Sequence, residues 1–248
     1  MPRRAREKSA SGIYHIMLRG INRQPIFEDE EDRLYFLDTL KRYKEKCGYA
    51  VYAYCLMDNH IHLLLREGYE ELGVVFKRIA GSYVYWYNWK YGRSGHLFQD
   101  RFKSEPVEDD SYLLTVVRYI HQNPVKAKIC AEPNEYGYSS FNEYLMKPHI
   151  TDTSFVLSMI SEKEFKRFHA EQNEDVCLEL EEGVRLTDAE AMGIVVETTK
   201  CTDIADFQRL DKVTRNRYIK QLHTFGLSVR QINRLTGITR KIVELNIG

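Results

Sequence analysis

Apolar residues recur along the first part of the chain with two different periods, and the switches between them mark out strands and helices. Gly12–Leu18 (GIYHIML) alternates loosely and predicts a first strand. Residues 19–27 (RGINRQPIF) are broken by Gly20 and Pro25 and predict a loop. The acids of 28–32 open a helix, at the end where the helix dipole favours negative charge; Leu34, Phe36, Leu37, Leu40 and Tyr43 give it an apolar face to about Cys47. Residues 49–66 read as two strands or one long bent one, with Met57–Asn59 as a turn or bulge. In the first half of that region Ala50, Tyr52 and Tyr54 are expected on one face, and Tyr49, Val51, Ala53 and Cys55 on the other. Leu72, Val75, Phe76, Ile79, Tyr83, Trp86 and Tyr87 place a second helix over 71–89. After a loop at 91–95, HLFQDRFKSEPV (96–107) predicts a last strand with Arg101 and Lys103 on one face. Asp109 and Ser111 are cap types for a helix running to about Gln122, which Pro124 ends or kinks. Tyr136–Tyr144 is expected to pack back on the domain as a tail.

Strands and helices in this order predict an α+β fold, a ferredoxin-like or RRM-like antiparallel sheet with helices packed on it. The pattern changes after Lys147-Pro148, where aromatics thin out and acids rise. Residues 151–170 and 187–191 look helical, and the acidic stretch 171–183 between them reads as a linker or helix extension. The last segment, RNRYIKQLHTFGLSVRQINRLTGITRKIVELNIG, predicts a helix, a turn at Gly226, a helix over 228–235, a turn at Gly237 and a helix begun by Thr239. That is the layout of a small all-α helix-turn-helix domain. Arg230, Gln231, Arg234, Arg240 and Lys241 decorate its last two helices, and their residue types suit DNA. The expected domains are therefore 1–148, a helical linker region 149–200, and the helix-turn-helix at 201–248.

Composition changes this picture little. The 248 residues carry 36 Lys+Arg against 36 Asp+Glu, so net charge alone points to no polyanion. The basic residues are nevertheless collected, at Arg3, Arg4, Arg6 and Lys8 and again from Arg215 to Lys241, and a local patch suffices to bind phosphate. The five cysteines form no CxxC pair, which removes zinc-knuckle and thioredoxin-type readings. With no secretion signal and no apolar run long enough for a bilayer, a cytoplasmic protein with reduced thiols and no membrane partner is expected.

The candidate chemistry starts at LMDNHIHLLL, residues 56–65, where His60 and His62 fall on one face of a strand and Ile61 on the other. Two imidazoles side by side are half of a metal site; the plainer reading is a pair of hydrogen-bonded strand histidines. A divalent cation held by them and one oxygen ligand polarises a phosphate oxygen. Asn123 is the candidate oxygen, and Tyr119, four residues earlier on a helix, reaches the same spot. A phenol is a weak nucleophile at its free pKa of ~10 and needs such a neighbour. Tyrosine is abundant, with 17 in the chain, and a helical Tyr is more often packing. Arg19, Asn22 and Arg23 in the first loop, with Arg101, Lys103 and Lys126, are candidates for contact with DNA.

Four stretches taken together, RGINRQPIF, LMDNHIHLLL, LFQDRFKSEPV and RYIHQNPVKA, resemble the single-tyrosine HUH transposases, and within them the REP-associated tyrosine transposases. The likeness spans about residues 12–144 in consistent order. It implies an RRM-like palm with the HUH strand central, His60 and His62 as ligands of Mg2+ or Mn2+, Asn123 as the third ligand and Tyr119 as the nucleophile. The implied reaction is cleavage and transfer of single-stranded DNA, often at a hairpin end, through a 5′-phosphotyrosine, by a monomer or a homodimer. GLSVRQINRLTGITRKIVEL is similar to the helix-turn-helix of replication initiators and implies an added reader of duplex DNA. Two alternatives stand beside this: a sequence-specific DNA-binding regulator that does not cleave, and an RNA binder stacking bases on Tyr52 and Tyr54.

Overall fold

The computed structural model describes residues 6–171, 173, 175, 177, 178 and 186–247. Arg3 and Arg4 of the basic N-terminus, and most of the acidic stretch at 171–183, lie outside the described residues. The chain divides into two compact units, 1–179 and 180–248.

In the first unit, β1 (Ile13–Arg19), α1 (Glu30–Cys47), β2 (Ala50–Met57), β3 (His60–Arg66), α2 (Leu72–Lys90) and β4 (Lys103–Pro106) follow one another. The sheet is antiparallel with strand order β2-β3-β1-β4, the split β-α-β arrangement of a ferredoxin-like fold. The expected α+β class and layout hold. Local chemistry sets the boundaries: Asp29 and Asp32 form a capping box at the start of α1, and Gly48 ends it with φ 69°. Asp109 caps α3 (Asp110–Lys126) by accepting from the Tyr112 N–H at 2.8 Å. Pro124 sits inside the last turn of α3 and does not stop it at Gln122; its missing N–H removes one bond, to Ile120 O, and the helix continues to Lys126.

Each face of the sheet has its own core. Tyr14, Ile16 and Leu18 of β1 and Ile61, Leu63 and Leu65 of β3 pack with Phe36, Leu40, Phe76, Ile79 and Tyr83 of α1 and α2. The other face is closed by α3, with Leu113, Val116, Val117 and Ile120 against Ala53, Cys55 and Leu64. Two expectations fail here. A register shift between Val51 and Ala53 bulges β2, so Tyr52 joins Ala53 and Cys55 on the α3 face while Val51 and Tyr54 face α1 and α2. Both tyrosines are buried, which removes the stacking platform an RNA binder needs. The last strand is only four residues; 96–102 is irregular, and Arg101 lies in a bend ahead of β4.

The tail seals the edge of β2, as a sheet edge requires. Leu56 N–H donates to Tyr138 O at 2.9 Å, Tyr54 N–H to Ser140 Oγ at 2.8 Å, and the Tyr136 hydroxyl to Leu56 O at 2.7 Å. The chain continues through α4 (Thr153–Leu157) and α5 (Glu162–Ala170), whose Val156 and Phe165 are buried in the α3 core. The stretch 149–200 is thus no separate linker: its first part belongs to the first unit, and its last helix belongs to the second.

The second unit holds α6 (Asp188–Thr199), α7 (Ile204–Arg209), α8 (Lys212–Thr224), α9 (Val229–Thr236) and α10 (Arg240–Ile247) around Val195, Phe207, Ile219, Leu222, Ile232 and Val243. Ser228 caps α9 and Gly237 ends it with φ 70°, at the positions the sequence marks.

Candidate active site

The α3 face of the sheet carries the polar side chains. Pairing of β1 with β3 sets Arg19 opposite His60 and Met17 opposite His62, and pairing of β1 with β4 sets His15 opposite Glu105. Opposed residues of antiparallel strands share a face. His15, His60, His62 and Glu105 therefore line up beneath α3, among the apolar groups of the second core.

His60 and His62 stand with ring centroids 5.0 Å apart. From α3, Tyr119 reaches down to them: its ring lies 5.6 Å from that of His62 and 5.8 Å from that of His15, edge-on to both. Asn123, one turn on, lies beside His60 and donates to Tyr119 O at 3.1 Å. A strand and a helix well separated in sequence thus bring together the four residues singled out for the chemistry. Lys126 completes the turn, with Nζ 4.9 Å from the centre of the Tyr119 ring and 2.9 Å from Asp175 O.

His60 is half-buried and its Nδ1 lies 2.6 Å from Asn59 Oδ1. Since that oxygen only accepts, Nδ1 carries the proton and Nε2 keeps a lone pair. Burial pushes the ring down to about 4, partly opposed by the neighbouring Asn123. His62 is buried and its pKa falls well below the ordinary histidine value, again through burial and then through the neighbouring His15 and His60. Both imidazoles are therefore neutral near pH 7. Two neutral imidazoles and a carboxamide oxygen make an N,N,O donor set that suits a first-row dication. Among the described residues no cluster of three His, Cys, Asp or Glu side chains is arranged to hold a metal.

The surrounding loops are tied to the histidines. Gly20 N–H donates to Asn59 O at 2.9 Å, and Asn59 Nδ2 donates to Arg23 O at 3.3 Å, clamping the loop after β1 onto the turn that precedes His60. A Cβ at Gly20 would stand 2.2 Å from Gln24 O, so only glycine fits. Asn22 and Arg23 are exposed in that loop with φ 51° and 61°, Arg19 is half-buried beside His60, and Lys103 is exposed on the site face of β4. Arg101 is exposed but stands outside the strand.

In the second unit Arg230, Arg234, Arg240 and Lys241 are exposed, with Arg234 paired to Asp188. Gln231 is a correction. Its side chain closes the capping box with Ser228 and donates to Leu186 O, leaving it 9% exposed, so it holds the helix start and is not presented to a base.

His15 and Glu105 went unread in the sequence. The alternation of IYHIMLR puts His15 on the face of Met17 and Arg19, but nothing in the sequence says which strand that face adjoins.

Residues 8–123 match the family described as transposase, IS200-like. No curated protein matches the chain. The fold is similar to that of a REP-associated tyrosine transposase solved bound to a REP hairpin, with TM-score 0.50 and 16% identity over 61% of this chain and 94% of that one. A candidate transposase from Deinococcus radiodurans R1 aligns with TM-score 0.34 and 18% identity over 48% of this chain and 96% of that one. Residues 8–123 of this chain are thus similar to the IS200-like transposases.

Proposed function

We propose that the chain is a transposase-type endonuclease and strand transferase that cleaves single-stranded or hairpin DNA with Tyr119 as nucleophile. The observation that carries this reading is the approach of Tyr119 to His62, 5.6 Å between ring centroids, across the junction of α3 and β3. His60, His62 and Asn123 would hold a Mg2+ or Mn2+ ion, which when bound supplies Lewis-acid polarisation of a phosphate oxygen. Tyr119 Oη then forms a bond to phosphorus as the bond from phosphorus to the 3′ oxygen breaks. The 3′ strand leaves as a hydroxyl and the 5′ end stays on the enzyme as a phosphotyrosine. That ester keeps the energy of the broken bond, so a second strand's 3′-hydroxyl can displace the tyrosine and rejoin the DNA.

The chain's own residues orient this step. Burial keeps both imidazoles unprotonated, α3 fixes the phenol over them, and Arg19, Asn22, Arg23, Lys103 and Lys126 surround the site with phosphate-binding groups. Tyr119 and the histidines meet within one chain, which supports action in cis, by a monomer or by each half of a homodimer. The hairpin bound in the similar solved structure makes hairpin DNA the first substrate to try. In the second unit the exposed Arg230, Arg234, Arg240 and Lys241 on two short helices joined at Gly237 support a helix-turn-helix that grips duplex DNA. A cytoplasmic location agrees with the described residues, none of whose helices is long and apolar enough to cross a membrane.

The test is a gel assay with 5′- and 3′-labelled single-stranded hairpins and Mg2+ or Mn2+. The reading expects a covalent protein–DNA adduct on the 5′ end of the downstream fragment, lost with a chelator. Tight DNA binding with no adduct under either metal would instead establish a non-cleaving regulator on the same fold.

A further inference from the structure

The chemistry above uses one ring nitrogen of His62; the other is engaged by a residue that no motif marks. His15 Nε2 lies 3.0 Å from His62 Nδ1, and the two rings stack with centroids 5.3 Å apart. Both side chains are buried, at 0% and 1% exposure. One of the two facing nitrogens bears a proton and the other a lone pair, and the far side of His15 decides which. His15 Nδ1 is buried and makes no hydrogen bond, and the Glu105 carboxylate faces it at 3.8 Å. A lone pair turned toward a carboxylate is repelled, whereas an N–H is attracted. The proton of neutral His15 therefore sits on Nδ1 and its Nε2 accepts. His62 must then donate from Nδ1, which strips the proton from its own Nε2. The facing His15 also holds Glu105 below the usual carboxylate range, so the negative charge that biases the chain persists.

We infer that His15 and Glu105 are positioning residues, a carboxylate–imidazole relay that locks His62 as the Nδ1–H tautomer and aims its Nε2 lone pair at a divalent cation. The inference rests on the proposed metal-assisted function, since it assigns what orients one of that site's ligands. It also explains why a buried histidine occupies the middle of β1 between His62 and Glu105. Residues that hydrogen-bond a metal's ligands fix ligand orientation and typically contribute 10–100-fold in metal affinity.

Long-range 1H–15N spectra of the imidazoles in the metal-free full chain read the tautomer directly and need no variant. The relay predicts a protonated Nδ1 and an unprotonated Nε2 on His62. Mn2+ binding followed by the electron paramagnetic resonance of the free ion gives the second readout, with folding checked by circular dichroism. His15→Leu, which removes the acceptor, is expected to weaken Mn2+ binding by roughly 10–100-fold, and His15→Gln, whose amide oxygen still accepts, to recover most of it. A wild-type protein that binds Mn2+ with His62 protonated on Nε2, or a His15→Leu protein that is folded and binds Mn2+ as wild type does, overturns the relay and leaves the functional reading standing. A wild-type protein that binds no Mn2+ and forms no adduct overturns the functional reading, and the relay with it.

Discussion

Replacing His121 with leucine tests how α3 is held in place. His121 lies two residues beyond Tyr119 and two before Asn123, fully buried. The polarity of its bonds can be followed from one end. His169 Nδ1 lies 2.8 Å from Phe165 O, a carbonyl, so His169 is the Nδ1–H tautomer and its Nε2 accepts. His121 Nδ1, at 3.0 Å, must donate to it, and His121 Nε2 then accepts from the Ser140 hydroxyl at 2.8 Å. Ser140 Oγ in turn accepts from Tyr54 N–H. One neutral chain of hydrogen bonds thus fastens α3 to β2 on one side and to α5 on the other. In His121→Leu the serine stays satisfied, because it keeps the Tyr54 N–H and can turn its hydroxyl to Tyr54 O at 3.3 Å. His169 Nε2 is left buried without a donor, at a cost of ~1–3 kcal/mol. His169→Leu leaves the His121 Nδ1–H in the same position at a similar cost. The double variant removes both polar partners, and Phe141, Tyr144 and Phe165 around them are already apolar. The double should therefore cost less than the sum of the singles by both penalties, ~2–6 kcal/mol. Both tryptophans, Trp86 and Trp89, lie on α2, so tryptophan fluorescence in urea reports the first unit alone. At an m value of ~2 kcal/mol/M each single should lower the midpoint by about 0.5–1.5 M. Costs that add to within ~0.5 kcal/mol would refute the coupled chain.

Gly20→Ala drives a methyl into Gln24 O at the clamp before His60, and should cost ~1–3 kcal/mol in the same urea assay while slowing adduct formation; an unchanged midpoint would contradict the close approach. His60 and His169 both have native pKa values pushed down to about 4 by burial, below the unfolded value of ~6.5. The unfolded chain therefore binds more protons between those values, and the urea midpoint should be level above about pH 6.5 and fall as pH drops from there toward 4; a midpoint that rises on acidification in that window has the wrong sign. Asn123→Ala should weaken Mn2+ binding about tenfold or more and leave His62 in the same tautomer, measured by the same resonance titration. Arg230→Ala with Arg240→Ala should weaken duplex binding and make the salt dependence shallower by about two phosphate contacts, whereas Gln231→Ala should loosen α9 in the melting curve instead.

Much of this arrangement was legible in the sequence because the local signals were strong. The cap residues Asp109 and Ser228 and the glycine at 237 mark helix ends by their own chemistry. Period-two spacing puts His60 and His62 on one face whatever they adjoin, and the spacing of Tyr119 and Asn123 does the same on α3. What the sequence left hidden depends on register. The bulge at Tyr52 reverses the faces of half a strand without a glycine to announce it. The last strand is short because only 103–106 finds a partner in β1, which no propensity at 96–102 reveals. His15 and Glu105 are ordinary residues of two strands until the pairing sets them opposite each other. Gln231 shows the converse: a base-reading residue type at a base-reading spacing, taken up by its own helix cap.

The most direct test of the central claim is to locate the covalent bond. After reaction with a single-stranded hairpin and Mn2+, tryptic digestion and mass spectrometry should find the nucleotide on the peptide YIHQNPVK, residues 119–126, and the Tyr119→Phe protein should form no adduct while still binding the DNA. An adduct on another of the 17 tyrosines, or one that persists in Tyr119→Phe, would contradict the convergence of strand and helix on a single phosphodiester.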